Sequence, residues 1–250
     1  AHPGAQAVIE HFSAEIRARP MEQWPRMQRG VAYSNDGEFE LALADFRRAQ
    51  ELGDPLAVAF DLGVLHYRMG DLAAARRYLD AFLARHPQHP ASLEYRARLR
   101  RDAGDTAGAV ADYRAFFAVE PRPNPGQYSA AAALLAQLPD EGSAAALALL
   151  DEGMARLGVL PQLQRQAIAL ELQAQRVDAA IARLRTLEGP LRASPEWCVE
   201  MGELLSRAGQ REPSLQYFER AERALAQSRA TPAREELLRR AQSGRAAAGS

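Results

Sequence analysis

Lysine is absent from this chain of 250 residues, and all 31 basic residues are arginine. Chemistry that needs a lysine amine, such as Schiff-base formation or the lysine of a phosphate-binding loop, is therefore excluded. The abundance of arginine and alanine indicates a high-GC bacterial genome more than a mechanism. Cysteine occurs once, at Cys198, so no disulfide can form within the chain and the redox compartment stays open.

The chain also has no large excess of positive or negative charge, because its net charge is −1. No strong overall field therefore favours nucleic acid or an acidic membrane. No apolar run approaches the roughly 20 residues that span a bilayer. The chain begins with Ala1 and His2 rather than Met, as a removed secretory signal or a trimmed chain would both give. We therefore slightly favour an exported, periplasmic protein over a cytoplasmic one.

A repeat is what the sequence does contain. Residues 56–89, LAVAFDLGVLHYRMGDLAAARRYLDAFLARHPQH, predict a helix–turn–helix hairpin, and the flanking stretches follow the same pattern. Gly30 and Gly63 are 33 residues apart, and Gly70 and Gly104 are 34 apart. A fixed period of this size indicates a stacked array of hairpins rather than one globular core.

Each recurring position has a physical role. Glycine in the first helix lets the second helix approach, and glycine after the last turn adopts a left-handed cap. Asp71 and Asp105 follow such glycines and can cap the second helix. The recurring positions are Gly30, Gly63 and Ala97; Gly37, Gly70 and Gly104; Ala42, Ala75 and Ala109; Phe46, Leu79 and Tyr113; and Asp54, Pro87 and Pro121.

These copies resemble tetratricopeptide repeats. The matching motifs are RGVAY…DGEFELALADFRRAQ, LGVLHYRMGDLAAARRYLDAF and AGDTAGAVADYRAFF. The sequence departs from the family where the first helix usually has a bulky aromatic, because Arg26, Ala59 and Leu93 stand there and Trp24 lies two positions early. The resemblance implies an all-α, right-handed α-solenoid of stacked antiparallel helix hairpins.

The pattern divides the chain into five parts. PRPNPG at residues 121–126 predicts a rigid connector, and SGRAAAGS at residues 243–250 predicts a disordered tail. The parts are an N-terminal capping helix (1–20), three well-formed repeats (21–121), the connector with a degenerate hairpin (122–158), two further repeats (159–227), and a C-terminal capping helix with the tail (228–250).

The family resemblance places the first helices on a concave face, where aromatic residues beside arginines would form a peptide groove. Ordinary packing of Phe60 and Tyr67 between repeats is an equally weighted alternative. The groove residues predicted in this way are Trp24, Met27, Phe60, Asp61, Tyr67, Arg68, Tyr95, Arg98 and Arg101, with Val31, Asn35, Val64, Glu94 and Asp102 beside them.

One branch of the family grips a C-terminal carboxylate with conserved polar and basic positions. The matching positions here are Met27, Val31, Asp61, Ala91 and Tyr95. None has the required side chain, and Asp61 would repel a carboxylate. We therefore do not expect that clamp.

Other candidate sites have simpler interpretations. His86 and His89 could share a metal, but no third ligand lies nearby in sequence. We expect His66 to pack and Cys198 to be a buried small hydrophobe. No catalytic motif is present, and pairs such as Glu38/Glu40 and Asp151/Glu152 fit helix starts or solvated faces. We expect no enzyme activity, no cofactor and no metal.

The leading hypothesis is a non-enzymatic scaffold that binds a peptide or partner subunit on its concave face. One alternative is a regulatory or accessory domain of a larger enzyme or sensor. Another is a nucleic-acid binder that uses the cluster Arg96, Arg98, Arg100 and Arg101. Interleaved acidic residues favour solvated ion pairs over that last function.

Overall fold

The computed structural model describes residues 3–140 and 142–249, and every regular element in those ranges is helical. Ala1, His2 and Ser250 lie outside the described residues. The helices are α1 (Pro3–Ala18), α2 (Gln23–Asp36), α3 (Phe39–Leu52), α4 (Ala59–Arg68), α5 (Leu72–Arg85), α6 (Pro90–Asp102), α7 (Thr106–Val119), α8 (Pro125–Leu135), α9 (Gly142–Leu157), α10 (Pro161–Gln173), α11 (Val177–Arg185), α12 (Glu188–Leu191), α13 (Pro195–Arg207), α14 (Arg211–Ala226) and α15 (Pro232–Gly249), with a 3-10 turn at Pro55–Val58.

The chain divides into two compact units, Ala1–Pro123 and Asn124–Ser250. In the first unit, three hairpins follow one another, α2 with α3, α4 with α5, and α6 with α7. Helix α1 packs on α2, α3 packs on α4, and α5 packs on α6. Consecutive hairpins therefore bury their apolar sides on their neighbours, which confirms the all-α solenoid class.

The turns within these hairpins adopt the predicted geometry. Gly37, Gly70 and Gly104 have φ values of 85°, 81° and 80°, in the left-handed region that favours glycine. The Asp71 carboxylate accepts a hydrogen bond from the backbone N–H of Ala74 at 3.0 Å, and Asp105 caps α7 in the same way. The predicted caps and turns are confirmed.

Helix contact inside the first two hairpins depends on a missing side chain. A Cβ atom added to Gly30 would lie 2.7 Å from the Phe46 ring. At Gly63 it would lie 2.8 Å from Cγ of Leu79. Because Ala75 and the equivalent alanines are fully buried, the next hairpin also approaches closely.

The second unit repeats this construction with weaker sequence signals. Its hairpins are α8 with α9, α10 with α11, and α13 with α14, and α15 packs on α13 and α14. Gln175 has a φ of 60°, so the left-handed turn after α10 forms without glycine. The buried Trp197 donates its indole N–H to the carbonyl of Leu184 at 3.0 Å and so links α13 to the end of α11.

The C-terminal tail differs from its prediction. Helix α15 continues to Gly249, so the residues expected to be disordered are helical as far as that position. A side chain at Gly244 would overlap the Phe218 ring, Ala248 is buried, and Arg245 pairs with Glu222 at 3.1 Å. The small residues of the tail therefore let the helix lie close against α14. This tertiary packing stabilises a helix that the local sequence does not predict.

Candidate functional site

A pocket of about 160 Å³ lies on the first helices of the three hairpins in the first unit. We call it the inner pocket. Asp61, Val64 and Arg68 project into it from one face of α4, since they are three and four residues apart. The remaining lining residues are Val31, Ser34 and Asn35 of α2, Phe46 of α3, Phe60 of α4 and Tyr95 of α6.

Aromatic rings form the side of the inner pocket towards α6. The rings of Phe60 and Tyr95 are 6.0 Å apart, edge to face, and Tyr67 meets Tyr95 at the same distance. Phe60 also contacts His89 at 5.1 Å and Phe82 at 5.8 Å. Phe60 therefore packs between hairpins and also lines the inner pocket.

Asp61 is a carboxylate without a counter-charge. In residues 3–140 and 142–249 it has no hydrogen-bond or ion-pair partner. Loss of solvent alone raises the pKa of Asp61 from 3.8 to about 6. Burial disfavours the charged form unless a cation or hydrogen-bond donor compensates it.

Arg68 occupies the other end of the same helix face. Its guanidinium donates to the carbonyl of Ser34 at 3.1 Å and to the side-chain oxygen of Asn35 at 2.9 Å. It also lies 3.3 Å from the Ser34 hydroxyl. These partners are neutral, so they fix the position of the guanidinium without cancelling its charge.

The remaining basic groove residues belong to a neighbouring network on α6. The Tyr67 hydroxyl donates to Asp102 at 2.6 Å, and Arg101 binds the other oxygen of that carboxylate at 2.8 Å. Arg98 pairs with Glu94 and lies 5.4 Å from the Tyr95 ring centre. Desolvation, assisted by the bond to Asp102, raises the pKa of Tyr67. This network adjoins the inner pocket through Tyr95.

Trp24 and Met27, like Tyr67, Arg98 and Arg101, do not line the inner pocket. Trp24 is 60% exposed in the first turn of α2. Met27 is partly buried and packs on the core of the first hairpin. Residues near the start of α2 precede the pocket-lining part of the helix, which begins at Val31.

An arginine–aspartate pairing within the first and third hairpins was not predicted. Arg29 binds both oxygens of Asp45 at 2.7 Å, and Arg96 binds both oxygens of Asp112 at 2.9 and 2.6 Å. We call these two pairs the arginine clasps. Each arginine also reaches the preceding hairpin or cap, Arg29 to Ser13 and Arg96 to Asp80, both at 3.0 Å. The recurring spacing of 16 residues was the available sequence signal.

The cluster Arg96–Arg101 is neutralised by local ion pairs. Arg100 joins Arg96 at Asp112, at 3.0 Å, while Arg98 and Arg101 pair with Glu94 and Asp102. Each of the four arginines of the cluster thus has a carboxylate partner. The acidic residues near this cluster form ion pairs with its arginines, as the sequence predicted.

The other residues singled out in the sequence have structural roles. Nδ1 of His89 accepts the backbone N–H of Ser92 at 3.2 Å and caps α6. His66 stacks on Tyr78 at 5.5 Å. Cys198 is 2% exposed, and burial raises the pKa of its thiol. Across the described ranges, no group of three or more His, Cys, Asp or Glu side chains is placed to hold a metal.

The second unit has a larger and more apolar pocket of about 530 Å³. Its floor includes Ile168, Leu204 and Phe218, between α10 and α13. At its rim Arg165 pairs with Glu200, and Arg240 pairs with Glu203 at 2.9 Å. Glu200 and Glu203 are therefore paired with arginines of the protein, whereas Arg207 also lines the pocket.

The hairpins and the inner pocket define a helical-repeat protein. Residues 57–89 match the sequence profile of the tetratricopeptide repeat. Among proteins of curated function, none matches this chain in sequence. The chain therefore carries one segment that matches a tetratricopeptide repeat, within an all-α solenoid of stacked hairpins.

Solved structures support the fold. The C-terminal part of a repeat protein from Cytophaga hutchinsonii is similar with a TM-score of 0.72 and 11% identity, over 94% of this chain and 95% of that one. Yeast Tom70 is similar with a TM-score of 0.52 and 19% identity, over 92% of this chain and 46% of that one.

A chain in the structure of Naa15/Naa10 bound to HypK-THB is similar with a TM-score of 0.57 and 15% identity. The match covers 95% of this chain and 36% of that one. This chain thus spans less than half of the Tom70 and Naa15/Naa10 chains that it matches. Within the described ranges, no helix is both long and apolar enough to cross a membrane.

Proposed function

We propose that this protein is a non-enzymatic scaffold that holds a segment of a partner protein in the inner pocket. The inner pocket is the observation that carries the proposal, because three successive first helices supply one concave site. Such helices commonly form the binding surface of repeat proteins. The Naa15/Naa10 structure with HypK-THB is an assembly of proteins built on a related fold, which also supports this role.

The chemistry of the inner pocket suits a peptide. Phe60 and Tyr95 offer aromatic surface, and Val31 and Val64 offer aliphatic surface. Aromatic residues contribute strongly to the energetic centre of protein interfaces. At about 160 Å³ the pocket holds a side chain and its neighbouring backbone, so we propose an extended segment with one anchoring side chain.

Selection of short capped peptides from a random library against the full chain tests this proposal. We expect the recovered peptides to lose at least about tenfold in affinity when Val64 is replaced in Val64→Gln, because a polar amide replaces apolar contact surface. Fluorescence anisotropy measures the affinity.

Leu41→Gln is the matched control, since Leu41 is 48% exposed on α3 and does not line the pocket. It should bind the same peptides as the unsubstituted chain. Circular dichroism establishes that both variants remain helical. Peptides that bind the Val64→Gln variant with unchanged affinity would rule out the inner pocket as the binding site.

A further inference from the structure

Resting on the function proposed above, we propose that Asp61 selects a partner segment by binding an arginine or lysine side chain that enters the inner pocket. The structure brings together an uncompensated carboxylate, aromatic rings and aliphatic side chains in one concavity. A cationic side chain with a long apolar stem is complementary to all three.

Six other carboxylates of the first unit show how Asp61 differs from them. Asp45 and Asp112 are in the arginine clasps, and Asp102 binds Arg101 and Tyr67. Glu94 binds Arg98, and Asp71 and Asp105 cap helices. The fold supplies each of these carboxylates with a donor, whereas in the described ranges it supplies none to Asp61.

The position of Arg68 makes it unable to serve as that donor. Asp61 and Arg68 are seven residues apart on α4, or about 10 Å along the helix axis at 1.5 Å per residue. Arg68 is also held on α2 by Ser34 and Asn35. The inner pocket therefore has a negative end at Asp61 and a positive end at Arg68.

A guest cation would remove the electrostatic penalty at Asp61. Its charged group would form a charge-assisted hydrogen bond to the carboxylate, and the Phe60 ring lies beside the pocket for a cation–π contact. A neutral or acidic guest would cover Asp61 without compensating it, and the desolvated carboxylate would then oppose binding. The preference for a cation thus has two sources: the carboxylate attracts a cationic side chain, and it disfavours a neutral or acidic one.

The proposal predicts a direction for the effect of pH. Asp61 must be ionised to bind a cation, and the pKa of the free carboxyl is about 6, so affinity should fall as the pH drops through that value. Of the side chains that line the pocket, Arg68 on α4 and Tyr95 on α6 are also titratable, while those from α2 and α3 are not. His89 contacts Phe60 and gains a positive charge as the pH falls, which would also weaken the binding of a cation. The Asp61→Asn variant therefore separates the titration of Asp61 from that of His89.

The test is a peptide selection run in parallel on the full chain and on Asp61→Asn, with Glu40→Gln, an exposed site on α3, as control. We expect arginine or lysine to be enriched at one peptide position with the unsubstituted chain and with Glu40→Gln, but not with Asp61→Asn. Replacing that basic residue by glutamine in a selected peptide should weaken binding to the unsubstituted chain by about tenfold or more. The same replacement should change binding to Asp61→Asn less than about twofold.

The outcomes separate this inference from the function on which it rests. Peptides that depend on Val64 but show no basic preference would overturn the role of Asp61 and leave the scaffold in place. Peptides that do not depend on Val64 would overturn the scaffold site itself. A pH profile between about pH 5 and pH 7.5 that persists unchanged in Asp61→Asn would assign the titration to His89 and count against Asp61.

Discussion

The carboxylates of the arginine clasps have hydrogen-bond donors within the protein, whereas the carboxylate of Asp61 has none in the described ranges. Asp45 is 5% exposed and Asp112 is 3% exposed, and both receive two hydrogen bonds from one guanidinium. Asp61 is half-buried and receives none in the described ranges. Perturbed groups in a concave site are characteristic of functional positions, because folding alone would not retain them.

Replacement of Asp61 should therefore stabilise the protein. The folded-state pKa of about 6 lies above the ordinary value of 3.8, so ionisation of Asp61 opposes folding at neutral pH. One pKa unit corresponds to about 1.4 kcal/mol, and Asp61→Asn should raise the free energy of unfolding by about 1–3 kcal/mol at pH 7. Urea denaturation followed by circular dichroism measures this quantity.

The sign of the pH effect provides the control. The penalty is complete above pH 6 and disappears as the pH falls through about 6 towards 3.8. The stability difference between Asp61→Asn and the unsubstituted chain should thus shrink at pH 4. Equal stability of the two proteins at pH 7 would show that Asp61 is compensated in solution.

At the residue scale, the groove residues inferred from repeat positions stay a prediction. Four of them, Phe60, Asp61, Arg68 and Tyr95, line the inner pocket. The isolation of Asp61 could not be predicted, because it depends on what α2 and α6 place opposite it. Trp24 was assigned to the groove from its position in the first helix, and it is exposed in the first turn of α2, outside the inner pocket.

The helix hairpin is the element that the sequence specifies most fully. Its turn needs a left-handed residue, its second helix needs a cap, and its two helices need a small residue at their crossing. Gly70, Asp71 and Gly63 meet these three needs in the second repeat. Each need is local, so a recurring pattern is enough to predict it.

Two glycine substitutions should separate packing from backbone strain. Gly63→Ala places a Cβ 2.8 Å from Leu79 Cγ and 3.3 Å from its backbone nitrogen, and overpacking of this kind should cost about 2–3 kcal/mol. Gly70→Ala meets no atom within 4 Å but has a φ of 81°, which should cost about 1 kcal/mol. Urea denaturation gives both values.

A double-mutant cycle with Leu79→Ala distinguishes the two causes. Removing the Leu79 side chain should relieve part of the cost of Gly63→Ala and none of the cost of Gly70→Ala. Additive effects in both cycles would mean that the hairpin tolerates the extra methyl group by moving apart.

The C-terminal end of helix α15 could not be predicted from the local sequence. The residues SGRAAAG indicate flexibility when considered alone, because they offer few large apolar groups. In the fold, Gly244 lies against the Phe218 ring and Ala248 is buried. Phe218 is 26 residues earlier in the chain, so its effect on the tail is a long-range packing effect that local composition does not contain.

Across the whole molecule, fold and function are supported by different observations. The three solved structures named above are 11–19% identical to this chain, and they support the solenoid fold. A shared fold does not define a partner, because function depends on particular sites. The inner pocket and its charges therefore carry the functional proposal.

Nucleic-acid binding is a whole-molecule alternative that can be tested directly. The net charge is −1, and the cluster Arg96–Arg101 is paired with carboxylates. Association with phosphate would have to break those pairs, so we expect no binding of labelled DNA or RNA at about 50 mM salt. Fluorescence anisotropy checks this, and salt-dependent binding that disappears in Arg101→Gln would contradict it.

The alternation of the arginine clasps has a consequence for assembly of the repeats. The first and third hairpins carry Arg29 with Asp45 and Arg96 with Asp112, whereas the middle hairpin has Leu62 and Tyr78 at the equivalent positions. If the third hairpin docked directly on the first, Arg47 would take the place of Asp80 and face Arg96. Like charges would then meet, so this pattern opposes omission of the middle hairpin and favours one order of the three hairpins during folding.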